Sequence, residues 1–193
     1  MHFEDLKKYH FILASKSPRR QFLLKDLGLD FEVRTKEVDE SFPAELKAEQ
    51  IPLYLCEKKA HAFDDDLNDN SIVITADTIV WVDNQVLNKP ENFDDAVRML
   101  KLLSGKMHEV YTGVCLKSKD KITSFYAVTK VHFKALTDEE INYYISNFHP
   151  YDKAGAYGAQ EWIGYIAVDK IEGSYFNVMG LPLKELYEEL LKF

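Results

Sequence analysis

The stretch Ser15-Lys16-Ser17-Pro18-Arg19-Arg20 places two hydroxyls and two guanidiniums where a short apolar run gives way to a proline. Proline suits the first position of a helix, so the unpaired amides of a helix start would face the same spot as the arginines. A helix N-terminus carries about half a positive charge, and Arg grips phosphate oxygens with two parallel bonds. The chemistry is that of a polyphosphate site; the plainer alternative is an ordinary helix start with solvated arginines. A second candidate is Asp77, which follows the apolar run Ser71 to Thr75, with Glu37, Asp39 or Glu40 available as a second carboxylate. Mg²⁺ takes one or two protein carboxylates and completes its shell with phosphates and water. Asp77 could equally be a satisfied turn residue, and the acidic loop a solvated one.

Three lysines stand at unusual places: Lys59, Lys89 in Asn-Lys-Pro, and Lys153 in Asp-Lys-Ala-Gly-Ala-Tyr-Gly. Each alone also reads as a surface lysine. Lys89 is the best ligand candidate of the three, because Pro90 stiffens its loop and limits the entropy lost in holding a phosphate. Gly155 and Gly158 allow close approach of backbone to a ligand, or simply a turn. His61, His108 and His132 lack ligand-like spacing and receive no role.

These residues need elements to position them. Phe11 to Ala14 reads as a buried strand, then a helix from Pro18 to about Leu27 with Ser17 as its N-cap and Gly28 as its stop. Phe31 to Arg34 reads as a second strand, and a helix runs from about Pro52 to Phe63. A strand from Ser71 to Thr75 ends in Ala76-Asp77-Thr78, and the apolar run resumes at Ile79 to Val82. Asp94 opens a helix that stops at Ser104-Gly105, and Glu109 to Lys117 with Ile122 to Phe133 form a hairpin. Thr137 and Glu140 make a capping box for a helix to about Phe148. A strand is expected near Tyr165 to Val168, and a closing helix from Leu183. Hairpin and crossover signals together give an α/β class with a mixed sheet.

The 193 residues, 46% hydrophobic and 13% aromatic, suffice for a substantial core. The net charge of -8 repels polyanions, so nucleic acid is not expected as a main partner. Cys56 and Cys115 lie in apolar stretches without metal-ligand spacing, which suits free buried thiols in a reducing compartment. No run is long enough to span a membrane, and the N-terminal stretch lacks a signal h-region, so a cytoplasmic protein is expected.

Taken together, Leu13-Ala-Ser-Lys-Ser-Pro-Arg-Arg20, Ala76-Asp-Thr78, Asn88-Lys-Pro90, Leu103-Ser-Gly105 with His108 and Thr112-Gly113, Asp152-Lys-Ala-Gly-Ala-Tyr-Gly-Ala-Gln160, and Gly173-Ser-Tyr-Phe-Asn-Val-Met-Gly-Leu-Pro182 resemble the Maf family of nucleoside triphosphate pyrophosphatases. Six motifs in the right order, along nearly the whole chain, are specific where one would be weak. The resemblance implies one domain over residues 1–193, related to the inosine triphosphate pyrophosphatases. Its expected form is an elongated mixed β-sheet with flanking helices and two lobes around a deep cleft, often in a homodimer.

It also implies cleavage between the α and β phosphates with a divalent cation, Mg²⁺ or Mn²⁺. Carried onto this chain, Arg19 and Arg20 match the phosphate-contacting arginines, Ser15 and Ser17 the loop serines, and Lys59 and Lys89 the cleft lysines. Asp77 matches the catalytic base, and Glu40 its partner at the metal. Gly-Ala-Tyr-Gly-x-Gln resembles the branch acting on dTTP and UTP, with Gln160, Thr78 and Arg19 at the specificity positions. Lys16, Asn88 and Glu161-Trp162-Ile163 depart from the family's pattern; Asn88 can keep a positive-φ loop, and Trp162 could cover the base. The competing readings are a nucleotide-binding regulator of cell division and septum formation without turnover, and a pyrophosphatase for damaged purine nucleotides.

Overall fold

The first three strands pair in parallel. In the computed structural model, which describes residues 3–193, β1 (His10–Leu13) lies between β2 (Phe31–Val33) and β3 (Ser71–Val82), parallel to both. Met1 and His2, at the start of the stretch expected to lack a signal h-region, lie outside the described residues. β4 (Gln85–Leu87) pairs antiparallel with β3. β5 (Met107–Lys117) and β6 (Ile122–Phe133) form the expected hairpin, and β7 (Val168–Glu172) joins β6 antiparallel. The seven strands make a mixed sheet in the order β2-β1-β3-β5-β6-β7, with β4 on β3, as the α/β reading requires.

The chain divides into two compact units, Met1–Asp77 with Thr112–Ala127 and Gly180–Phe193, and Thr78–Tyr111 with Val128–Met179. In the first, α1 (Pro18–Asp26) begins at the expected proline and buries Leu23 and Leu24. α2 (Gln50–His61) buries Ile51, Leu55, Cys56 and Ala60. Cys56, Ala60 and Cys115 form one cluster, and Ile12, Phe63 and Val73 another. Both thiols are free, and burial pushes Cys56 far above the ordinary thiol range and Cys115 up to about 11.

α2 comes unusually close to β5. A Cβ at Gly113 would lie 2.5 Å from the Pro52 carbonyl carbon and 2.6 Å from its oxygen. Gly113→Ala is therefore expected to destabilise the protein by about 1–3 kcal/mol, because backbone must move to admit the methyl. Urea unfolding measures this; an unchanged midpoint would show that the helix has room to retreat.

In the second unit, α3 (Phe93–Leu103) and α4 (Asp138–Phe148) pack Leu100, Leu103, Ile141, Tyr144 and Ile145 onto Val80, Val110 and Val131. The capping box at Thr137 and Glu140 is present in both directions. The cap of α3 is Asn92 rather than Asp94, its side chain accepting the Asp95 N–H at 3.0 Å. The strand expected near Tyr165 is instead α5 (Trp162–Ala167), and β7 follows it. Ile163 and Ala167, one helical turn apart, are both fully buried, so the short apolar run obeys the helical period. A further correction concerns β3. It runs unbroken through Asp77 and Thr78, so Asp77 sits inside a strand and not at its end. Thr75 and Thr78 are β-branched and suit extended backbone, and the break existed only in hydropathy.

His108 is 1% exposed, with Nε2 2.7 Å from the Tyr157 hydroxyl and its ring edge-on to Phe133. Burial, and secondarily His132, lower its pKa from 6.5 to about 3. Between those values the unfolded chain takes up a proton that the fold refuses. The contribution is thus intact above the unfolded value and is lost by about 1.4 kcal/mol per pH unit as pH falls. In His108→Gln the slope of unfolding free energy between about pH 6 and about pH 4 should be shallower by one proton. Equal slopes would contradict a buried neutral imidazole.

Candidate active site

The charged centre of the first unit draws on a strand, a helix and a loop. β3 supplies Asp77, the last turn of α2 supplies Lys59, and the irregular segment 34–49 supplies Glu40. Lys59 Nζ lies 2.6 Å from Asp77 Oδ1 and 2.8 Å from Glu40 Oε1. The Lys59 and Asp77 side chains are only 16% and 14% exposed, so their charges are poorly screened. Thr75 Oγ1 donates to the Cys56 carbonyl at 2.6 Å, which ties α2 to β3 beside both residues.

The residue pattern left three acids open as the second carboxylate and the resemblance implied Glu40, which is the one that shares Lys59 with Asp77. The Asp39 carboxylate is taken by the Ser41 hydroxyl, the Ser41 N–H at 3.0 Å and Lys58 at 3.3 Å, which together hold its pKa at about 2. Arg20 anchors to backbone: its Nε donates to the Gly180 carbonyl at 2.8 Å and a terminal nitrogen to the Ala76 carbonyl at 2.9 Å. Burial draws its pKa down, and Asp77 opposes that shift. Arg20 thus fixes the residue preceding Asp77. Ser15 is buried and accepts the Ser17 N–H at 3.2 Å; Ser17 occupies the N-cap position of α1 but makes no side-chain cap bond. Arg19 lies half-buried in the first turn of α1.

The remaining candidates belong to the second unit. Thr78 is half-buried on β3, and Lys89 is exposed just after β4, with no ion pair among the described residues. Asn88 does not adopt positive φ; its carbonyl accepts the Gly155 N–H at 3.1 Å. The Gln160 carbonyl accepts the Tyr165 hydroxyl at 2.8 Å, while its side-chain amide has no hydrogen bond among the described residues. Trp162 lies 4.8 Å from Tyr143, centroid to centroid, and is partly buried against the core of the second unit. Lys153 is no surface lysine: it is 7% exposed and paired with Asp152 and Glu161. Glu161, which stood out in the sequence only as a departure from the family's pattern, is the partner of Lys153 at 3.0 Å, a pairing that no local signal announced.

Among the described residues no group of three or more His, Cys, Asp or Glu gathers to hold a metal. Asp77 and Glu40, both within 2.8 Å of one ammonium nitrogen, are two hard oxygen donors around a single cationic position. That set fits a Mg²⁺ whose shell is completed by phosphates and water, and Lys59 stands in for the positive charge.

The sequence profile of the Maf-like protein family matches residues 10–193. The chain belongs to that family. A dTTP/UTP pyrophosphatase of Flavobacterium johnsoniae is 57% identical over 187 residues, covering 97% of this chain and 96% of the relative. A dTTP/UTP pyrophosphatase of Phocaeicola vulgatus is 56% identical over 190 residues, covering 98% of each chain. Among solved structures, the Staphylococcus aureus Ham1 protein is similar with a TM-score of 0.47 and 14% identity, over 64% of this chain and 71% of that one. No helix among the described residues is long and apolar enough to cross a membrane.

Proposed function

We propose that this member of the Maf-like family is a nucleoside triphosphate pyrophosphatase that converts dTTP and UTP to the monophosphate and pyrophosphate. The observation that carries the reading is the Asp77–Lys59–Glu40 centre with Arg20 beside it, in a chain so similar to proteins of that name. Asp77 and Glu40 would hold the divalent cation, Mg²⁺ or Mn²⁺, which when bound neutralises phosphate charge and polarises the reacting phosphoryl group. Asp77 orients a water and takes its proton as the water oxygen bonds to the α-phosphorus and the bridging oxygen leaves with pyrophosphate. Lys59, Lys89, Arg19 and Arg20 offset the charge that develops on the phosphate oxygens, and Ser15 and Ser17 bind them. Gln160, with Thr78 and Arg19, reads the base: an amide matches the N3–H and O4 of uracil or thymine.

The proposal extends to one functional domain over the whole chain, acting as a homodimer in the cytoplasm. The family match over residues 10–193 supports the first of these, and the free buried thiols suit a reducing compartment.

The test is incubation with a panel of nucleoside triphosphates and Mg²⁺ or Mn²⁺, with monophosphate and pyrophosphate measured separately. dTTP and UTP should give both products in equal amounts. Orthophosphate with a diphosphate would refute the cleavage position, and binding without turnover would favour a regulatory protein.

A further inference from the structure

Lys153 Nζ lies 2.7 Å from Asp152 and 3.0 Å from Glu161, in a position 7% exposed. The second Glu161 oxygen accepts a hydrogen bond from the hydroxyl of Tyr144 on α4, a fully buried side chain. That hydroxyl oxygen in turn accepts the Gly158 N–H at 3.0 Å. One connected network therefore fixes Gly158 and Glu161, on either side of Gln160, against α4. A Cβ at Gly158 would lie 2.9 Å from Glu161 Cδ and 3.0 Å from Gln160 Nε2, so the carboxylate and the Gln160 amide pack over the same glycine.

A glutamine amide that can rotate end for end reads two bases. With its carbonyl and NH₂ in one order it matches the N3–H and O4 of uracil; reversed, it matches the N3 and amino group of cytosine. No hydrogen bond joins the two side chains among the described residues; the Glu161 carboxylate acts by its field and by filling the space over Gly158, which favours the NH₂ end on that side. We propose that Glu161, held by Lys153 and Tyr144, is a positioning residue that fixes the orientation of the Gln160 amide and thereby excludes cytosine nucleotides. This rests on the pyrophosphatase reading and on Gln160 as its base reader.

The test compares kcat/KM for UTP, dTTP and CTP in the wild type, Glu161→Gln, Glu161→Asp and Tyr144→Phe, with a thermal melt of each. Glu161→Gln should lower the UTP-to-CTP ratio by about tenfold, with a rise in CTP hydrolysis contributing to the change and kcat for UTP within about twofold. Glu161→Asp keeps the charge and should retain most of the selectivity; Tyr144→Phe should shift the ratio in the same direction by about threefold. General loss of the loop's packing lowers kcat on all three nucleotides, whereas a gain on CTP with kcat for UTP retained reads the freed amide itself. Folded variants with an unchanged ratio, or with equal losses on all three nucleotides, overturn the assignment. If Glu161→Gln does not fold, Tyr144→Phe decides by the same criterion. A wild type inactive on every nucleotide overturns the underlying reading, whereas an active wild type with unaltered variants overturns this assignment alone.

Discussion

Asp77→Asn is expected to lower kcat on dTTP and UTP by about 1,000-fold, the range a positioned general base supplies. The amide keeps the size of the carboxylate, so the strand and its neighbours need not move. It cannot take a proton from water and is a far poorer cation ligand. It also leaves Lys59, now 2.6 Å from an amide position, with Glu40 as its remaining partner in this centre. KM should change much less than kcat, because the positive groups around the phosphates remain. Steady-state kinetics, with circular dichroism to confirm the fold, measure both; a loss under tenfold would remove Asp77 from the chemistry.

Lys59→Met should lower kcat/KM by about 100-fold, comparable to removal of one preorganised donor to a developing anion. Methionine keeps an unbranched side chain of similar length while deleting the charge. Asp77 and Glu40 then converge without the ammonium that separates them, and two like charges at such range attract any available cation. The variant without nucleotide is therefore expected to bind Mn²⁺ more tightly than wild type, read by titration calorimetry. Loss of activity together with tighter Mn²⁺ binding distinguishes a removed counter-charge from a collapsed site. Unchanged kcat/KM would place Lys59 outside the reaction.

The contrast between these residues and Lys153 shows what a sequence conveys. Helix starts at Pro18 and Thr137 were legible because proline and a capping box act locally. The Ser71 to Val82 strand was legible in its apolar parts and not at Asp77, since the ion pair that lets a carboxylate sit inside a strand comes from a helix 18 residues away in the chain. Residue pattern alone did not rank the three acids of that loop, and only the resemblance named Glu40; that Ser41 and Lys58 occupy Asp39 is a distinction packing makes. Lys153 resembled a surface lysine because nothing local announces burial. Its partner Glu161 lies on the far side of a glycine-rich turn, and Tyr144, which completes the network, comes from another helix. The α5 segment failed for a different reason: six residues give less than two helical turns, too short for a period of 3.6 to be told from a strand.

The central claim is that these residues direct water to the α-phosphorus, and hydrolysis in oxygen-18 water tests it directly. UTP turned over by the wild type should yield monophosphate carrying one labelled oxygen and pyrophosphate carrying none. Label in the pyrophosphate, or in released orthophosphate, would place the attack on another phosphorus and contradict the account.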